Sequence, residues 1–114
     1  MAQSFGEILR ELRRSRGVSQ RELAEKVGVD FSYISKVEND RLPPPAADTI
    51  VRICDVLGVR PNDLLALTGK MPTDVKEMLS ASPAAQQFVR QAQEMKLTDE
   101  EWQTLTRRLK RLRS

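Results

Sequence analysis

The sequence predicts an all-α protein: a five-helix domain followed by a C-terminal helical segment. Apolar residues recur at three- and four-residue spacings along most of the chain, which is the period of an amphipathic helix. Ser, Thr or Asp precedes such stretches and Gly follows them, as at helix starts and stops. Strand signals are absent, and a length of 114 residues suits one small domain with an appendage.

Composition narrows the function before any motif is considered. Lys and Arg number 19 against 16 Asp and Glu, so the net charge of +3 only weakly favours a polyanionic partner. Histidine is absent and the one cysteine, Cys54, lies on an apolar helix face, so we expect a buried thiol, no metal or cofactor, and no enzymatic activity. The chain shows neither an apolar signal region nor the about 20 apolar residues of a membrane helix, which predicts a cytoplasmic protein.

The first helix is predicted from Ser4 to Arg16. Ser4 and Glu7 have the spacing of a capping box, and Gly17 stops the helix. The expected inward residues are Phe5, Ile8, Leu9 and Leu12. The other face is basic, which either complements the helix dipole or serves phosphate contact. Its arginines are Arg10, Arg13, Arg14 and Arg16.

Ser19–Asn39 is predicted to form two short helices joined by a tight turn. Ser19 and Glu22 have capping-box spacing, and Gly28 ends the first helix because glycine reaches a left-handed conformation without a Cβ penalty. Asp30 is expected to cap the second helix. The inward residues are Leu23, Ala24, Val27, Ile34 and Val37.

One face of the second of these helices is left uncommitted. At about 100° per residue, the residues opposite its apolar side carry hydroxyl, ammonium and amide groups. Such groups suit base edges and phosphates in a major groove, although an ordinary solvated helix face also carries them. The residues are Ser32, Ser35, Lys36 and Asn39.

This combination resembles the helix-turn-helix of the Cro and phage-repressor type, the xenobiotic-response-element family. The resemblance rests on the small Ala24, on Gly28 four residues later, and on apolar Ile34 and Val37 beyond it. It covers about residues 4 to 69 and implies a DNA-binding domain whose second motif helix contacts bases.

Carried over by position, the resemblance implies a set of DNA contacts at the motif and the loop behind it. Phe31, Ser32 and Lys36 would face bases, and Phe31 would either read a thymine methyl or merely pack. The full implied set is Gln20, Phe31, Ser32, Ser35, Lys36, Asn39 and Arg41. In the family, arginine at the position of Arg13 pairs with glutamate at the position of Glu38, so these two are expected to form a structural ion pair.

Two further helices complete the predicted DNA-binding domain, residues 1–69. The prolines at 43–45 indicate a stiff loop, and a fourth helix is expected from about Ala47 to Leu57. Pro61 starts the fifth helix. Its expected core residues are Leu64, Leu65 and Leu67.

Residues 70–83 are predicted to be a linker that can carry a short helix from Thr73 to Leu79, with a break at Ser80–Pro83. Residues 84–114 then form a helical hairpin too small to bury much surface by itself. It either packs back on the DNA-binding domain or pairs with a second copy, and two-fold dimers read palindromic DNA. The candidate dimerisation residues are Phe88, Trp102, Leu105, Leu109 and Leu112.

The resemblance implies a homodimeric repressor that binds double-stranded DNA at a palindromic operator and occludes a promoter, which can be its own. The layout also resembles repressors clipped by a partner peptidase of the ImmA/IrrE type, which implies release by cleavage or disruption of the linker or dimer region. The alternative is a protein-interaction module or antitoxin that uses the same fold. DNA retention that weakens steeply with salt would separate the two.

Overall fold

The computed structural model describes residues 3–114, which form eight helices, in agreement with the predicted all-α class. The helices are α1 (Phe5–Ser15), α2 (Gln20–Val27), α3 (Phe31–Glu38), α4 (Ala47–Leu57), α5 (Asn62–Thr68), α6 (Thr73–Ala81), α7 (Pro83–Met95) and α8 (Asp99–Arg111). They fall into two compact units: residues up to Val75 form unit 1, and Lys76–Ser114 form unit 2. No helix in the described part of the chain is both long enough and apolar enough to cross a membrane.

Unit 1 has an apolar core to which each of its first five helices contributes. The largest buried apolar side chains come from all five, and each is at most 1% exposed; they are Leu9, Leu23, Ile34, Ile50, Ile53 and Leu64. Burying one such side chain stabilises the fold by about 1.5–3 kcal/mol. Because α2 and α3 share this core with α1 and α4, the helix-turn-helix is fixed to a rigid scaffold.

Cys54 and the leucines of α5 are expected in the core. Cys54 is fully buried, and burial together with the neighbouring Asp55 charge raises the pKa of its thiol to about 11. Leu64 is buried as expected, but Leu67 is 52% exposed, so the prediction that it closes the core is wrong. The reason is that Leu67 lies in the last turn of α5, a helix of only seven residues.

Side-chain caps begin α1, α2, α7 and α8, although fewer of them are reciprocal than expected. The Ser19 hydroxyl accepts from the Glu22 N–H at 3.0 Å, but the Glu22 carboxylate pairs with Lys26 at 3.1 Å. Among the described helices, only α8 has a complete capping box, made by Thr98 and Glu101. Asp30 is the N-cap residue of α3, as predicted, but its side chain forms no cap bond; its carbonyl oxygen accepts from the Tyr33 N–H at 3.0 Å.

Gly6 marks the point where α1 approaches the C-terminal end of α3. A Cβ atom at this buried position would lie 2.7 Å from the carbonyl oxygen of Glu38 and 2.7 Å from Oδ1 of Asp40. Real Cβ contacts are not this short, and one of the atoms met is rigid backbone. The two helices can therefore come this close only because residue 6 lacks a side chain.

Much of the predicted linker is ordered. The Lys70 Nζ donates to the carbonyl oxygens of Pro44 and Pro45 at 3.0 and 2.9 Å. The Thr73 N–H and hydroxyl both donate to the Asp48 carboxylate, at 2.9 and 2.6 Å. Residues 70–73 are therefore attached to unit 1.

The break in the helical pattern is shorter than the expected Ser80–Pro83. Ser80 and Ala81 belong to α6, which leaves only Ser82 between two helices. The Ser82 hydroxyl accepts from the Ala85 N–H at 3.1 Å, and Pro83 is the first residue of α7. Proline suits that position because a first-turn N–H has no helical partner.

Unit 2 buries little apolar surface, and Ala92, at 6%, is its one buried hydrophobic residue among those described. Several large apolar side chains of α7 and α8 are instead exposed: Phe88 53%, Val89 44%, Met95 63%, Trp102 42% and Leu109 67%. Removing such surface from water is favourable at about 25 cal/mol per Å². The hairpin therefore leaves much of its apolar surface exposed.

Candidate nucleic-acid interface

The chain reverses direction between α2 and α3, the two helices of the helix-turn-helix. Gly28 ends α2 in the left-handed conformation, with φ 87°, and its N–H donates to the Ala24 carbonyl at 2.9 Å. Ala24 is 2% exposed and packs in the same cluster as Ile34 and Val37 of α3. A left-handed residue at the turn and a small residue at the contact thus set the angle at which α3 leaves the core.

The opposite face of α3 is open to solvent. Phe31, Ser32 and Lys36 are exposed and Ser35 is half-buried. The Ser32 hydroxyl and the Lys36 ammonium form no hydrogen bond or ion pair within residues 3–114. These groups are therefore free to meet an external acceptor or donor.

A buried ion pair connects α1 to α3 behind this face. Arg13 Nε lies 2.6 Å from Glu38 Oε2, and Arg13 Nη2 lies 3.0 Å from Glu38 Oε1, so the guanidinium binds the carboxylate with both arms. The side chains are 9% and 0% exposed. Arg13 Nη1 also donates to the Val18 carbonyl at 2.9 Å. The arginine and glutamate that the resemblance assigned to a structural ion pair are thus in contact.

Burial alone would raise the pKa of Glu38, because it disfavours the charged carboxylate. Hydrogen bonds from Arg13 and Gln20, and the positive charges of Arg13 and Arg10, outweigh that effect, so the pKa of Glu38 is lowered. The carboxylate is therefore charged at neutral pH and remains bound to its arginine.

Two residues in the implied DNA-contacting set are already engaged within the protein. Gln20 Nε2 donates to Glu38 Oε1 at 3.0 Å. Asn39 Nδ2 donates to the Ser35 carbonyl at 2.9 Å, and its Oδ1 accepts from Arg10 Nη2. A DNA contact made by either residue would have to share or replace these bonds.

The loop behind α3 holds Arg41 in a defined place. Asp40 has a left-handed backbone, with φ 58°, and its Oδ2 accepts from the Ser4 hydroxyl at 2.8 Å. The Arg41 N–H donates to the Lys36 carbonyl at 2.8 Å. The Arg41 side chain is exposed and forms no bond to the other residues that the structure describes.

Sequence reasoning missed the role of Arg10, which it placed only on a basic helix face. Arg10 Nη2 donates to the Glu38 carbonyl at 3.2 Å, and Arg10 Nε lies 3.6 Å from Glu38 Oε1. Arg10 therefore binds the C-terminal end of α3. One sequence signal could have revealed this role: Arg10 and Arg13 are three residues apart, which puts both on one side of α1.

The candidate dimerisation residues are distributed over the two helices of unit 2. Phe88 and Leu105 line a groove of about 410 Å³ that also contains Ala92 and Leu97. Trp102, Leu109 and Leu112 do not line it and are 42%, 67% and 77% exposed. Unit 2 therefore has an apolar groove and a separate set of exposed apolar residues along α8 and at its C-terminal cap.

Comparison with known proteins agrees with this architecture. Residues 4–67 match the family described as "Helix-turn-helix domain". The chain is 37% identical over 82 residues to the HTH-type transcriptional regulator RghRB of Bacillus subtilis, covering 72% of this chain. It is 35% identical over 61 residues, 54% of this chain, to the HTH-type transcriptional regulator SinR of the same organism. The chain spans 59% and 55% of the length of these two relatives.

Solved structures give the same result for the fold. The crystal structure of SinR, the master regulator for biofilm formation, in complex with DNA matches at a TM-score of 0.51 and 34% identity, covering 54% of this chain and 98% of that chain. A chain of the SinR protein/SinI protein complex matches at a TM-score of 0.52 and 25% identity, covering 94% of this chain and 95% of that chain. Over residues 4–67 the chain therefore belongs to the helix-turn-helix domain family, with the fold of Cro- and phage-repressor-type transcriptional regulators.

Proposed function

We propose that the protein is a sequence-specific double-stranded DNA-binding transcriptional repressor that acts as a homodimer on a palindromic operator. The observation that carries this proposal is the open face of α3. The Ser32 hydroxyl and the Lys36 ammonium on this face lack partners inside the described chain, while the other face of α3 is fixed by the core and by the Arg13–Glu38 pair. A rigid helix with open polar groups suits insertion into a major groove.

Base contacts are assigned to the start and outward side of α3, namely Phe31, Ser32 and Lys36, with Ser35 beside them. Phosphate contacts are assigned to Arg41 and, through exchange of their internal bonds, to Gln20 and Asn39. The SinR structure in complex with DNA supports this assignment, because it matches this chain over the part that carries the motif.

Pairing of two copies is assigned to unit 2. It exposes Trp102, Leu109 and Leu112, and an isolated hairpin of this size has little core of its own. The match to a chain of the SinR protein/SinI protein complex extends over 94% of this chain, which supports a protein-docking role for the hairpin. A two-fold dimer would present two α3 helices to half-sites about 10 base pairs apart.

Repression would follow from occupying a promoter, including the protein's own, and the chain would perform no chemistry. Release would follow from loss of pairing, by cleavage near Ser82 or by disruption of the α7–α8 surface. A peptidase of the ImmA/IrrE type is the proposed agent of cleavage. Ser82 is the natural point, because it alone separates α6 from α7.

The test is selection of bound sequences from random double-stranded DNA with the full chain, followed by affinity measurements across a salt series. We expect a palindromic consensus and an affinity that falls steeply with salt, because phosphate contacts release counterions. Failure to enrich any sequence, together with salt-independent retention, would overturn the proposal in favour of a protein-interaction module or antitoxin.

A further inference from the structure

Arg21, which the assignment above leaves out, stacks on the aromatic ring at the start of α3. Its guanidinium carbon lies 5.2 Å from the centroid of the Phe31 ring. Arg21 is exposed, and Phe31 is 45% exposed. The contact joins the second residue of α2 to the first residue of α3, so it lies at the entrance to the exposed face of α3.

The stacked pair borders an open cleft of about 440 Å³, whose lining also includes Arg13, Arg14, Ser19 and Gln20. Arg13 and Gln20 are committed to Glu38. Arg21 forms no ion pair or hydrogen bond through its side chain with any residue from 3 to 114. Its five N–H donors are therefore available to an external acceptor, while the ring limits where they point.

A purely structural role explains the pair poorly. Phe31 is not among the residues packed against either apolar core cluster. A ring that stays exposed contributes little apolar burial to the stability of the fold. A cation stacked on an exposed ring also contributes little stabilising free energy. What the contact does provide is orientation, because a guanidinium lying on a ring has fewer accessible positions than a free arginine.

We propose that Arg21 and Phe31 form one base-reading unit for a guanine and a neighbouring 5-methylpyrimidine, an inference that rests on the proposed DNA-binding function. Arg21 donates with two N–H groups to O6 and N7 of the guanine. The Phe31 ring, which supports the guanidinium, contacts the 5-methyl group of the neighbouring pyrimidine. The shared chemistry is the methyl group, which either thymine or 5-methylcytosine supplies.

The first experiment compares arginines of the same cleft in the full chain, with sites selected from random DNA. Arg21→Ala is expected to reduce discrimination at one guanine by about 5- to 150-fold, the range for a bidentate base contact. Arg14→Ala is the matched control, because Arg14 lines the same cleft without stacking on Phe31. It is expected to weaken all sequences alike. Arg21→Lys should keep the salt dependence and lose the guanine preference.

The second experiment changes single atoms of the DNA. In the selected site, 7-deazaguanine removes the N7 acceptor and should weaken wild-type binding, whereas inosine retains O6 and N7 and should not. Replacing thymine by uracil removes one methyl group and should weaken binding about four-fold, as expected for one buried carbon. Comparison of cytosine with 5-methylcytosine at the same position shows which methyl source is accepted. In Phe31→Ala, sensitivity to the methyl group should disappear.

Both side chains are exposed, so the melting temperatures of these variants should match the wild type, and this is measured alongside binding. If Arg21→Ala and Arg14→Ala weaken every sequence by the same factor, Arg21 is a phosphate contact and the inference is overturned. Equal binding of thymine and uracil sites by the wild type would also overturn it. If the wild type selects no DNA sequence at all, the failure belongs to the proposed function instead.

Discussion

At the scale of single residues, the candidate nucleic-acid interface contains two kinds of side chain. Some bond to the end of α3 and hold it in place, and others nearby are exposed. Arg10, Arg13 and Gln20 all donate to Glu38. Lys36 and Arg41, only a few residues away along the chain, have no such side-chain partners among the described residues. Substitutions at the two kinds of position should therefore have different consequences.

Lys36 and Arg41 should differ in what their loss does to DNA binding. Lys36→Ala is expected to relax base preference at one operator position and to cost about 1–3 kcal/mol, because Lys36 lies on the exposed face of α3. Arg41→Ala is expected to weaken all sequences equally and to reduce the salt slope by about one unit. Affinities for matched and single-substituted operators over a salt series measure both effects. A change of base preference in Arg41→Ala would contradict the assignment of the loop to phosphate.

Glu38 makes the free energy of unfolding depend on pH in the acid range. Its pKa is lowered from an ordinary value of 4.5, so its contribution is fully present above pH 4.5 and is lost as pH falls through the folded-state pKa. Glu38→Gln should remove this acid dependence and should lower the free energy of unfolding at pH 7 by about 3–5 kcal/mol, because Arg13 would lose its charged partner. Urea unfolding from pH 2 to pH 7 measures both changes.

The control for Glu38 is Glu22→Gln, which removes an exposed carboxylate paired with Lys26. Exposed pairs at this helical spacing are worth only about 0.3–0.5 kcal/mol. Equal effects of the two substitutions would contradict a structural role for the buried carboxylate.

At the scale of helices, the approach of α1 to α3 depends on the absence of a side chain at residue 6. In an ordinary helix interior, Gly→Ala is favourable by about 0.5–1 kcal/mol. Gly6→Ala should instead destabilise the protein, because the new Cβ would overlap the carbonyl oxygens of Val37 and Glu38. Overpacking typically costs about 1–3 kcal/mol.

Chemical denaturation of Gly6→Ala, with operator affinity measured in parallel, tests that expectation. Both should fall, since the atoms that must move belong to the end of α3. Ser15→Ala provides a helix control at an exposed position of α1. A Gly6→Ala variant as stable as the wild type would show that α1 can shift without cost.

The α8 helix should control pairing. Leu105→Asp combined with Leu109→Asp is expected to convert the protein to a monomer and to reduce operator affinity, because each charge would enter an apolar contact. Gln103→Asp is the control, since it adds a charge at an exposed position of the same helix. Light scattering gives the mass and titration gives the affinity. A doubly substituted protein that stays dimeric would move the pairing surface away from α8.

At the scale of the whole molecule, DNA reading and pairing are assigned to different units. A specific protease site inserted at Ser82, which lies within unit 2, should leave unit 1 and the α7–α8 hairpin folded, because Ser82 lies between α6 and α7. Cleavage should then lower operator affinity about 10²–10⁴-fold, because the second half-site contact is no longer intramolecular. Cleavage that leaves affinity unchanged would exclude this route of release.

The position of the cut along the chain decides whether contacts within unit 1 are lost together with pairing. A truncation after Gly69 would also remove Lys70 and Thr73, which bond to the proline loop and to Asp48 within unit 1. Loss of binding in that truncation would therefore mix damage to unit 1 with loss of pairing. The cut at Ser82 avoids this.

The sequence by itself determined the local features of this protein. Most helix bounds follow from the apolar period, from Ser or Thr before α1, α2, α7 and α8, and from glycines that take left-handed backbone, such as Gly28 and Gly58. The exposed face of α3 also follows, since opposite sides of one helix are fixed by its period. These features depend on residues within a turn or two of each other.

Only the tertiary structure decided how distant residues meet. Arg10 and Asn39 are 29 positions apart, and Ser4 and Asp40 are 36 apart. Whether such groups touch depends on the angle and distance at which α1 packs on α3, which one helix's periodicity does not encode. The same holds for Gly6, whose need for glycine appears only when α3 lies against it, and for Arg21, whose ring partner belongs to the next helix.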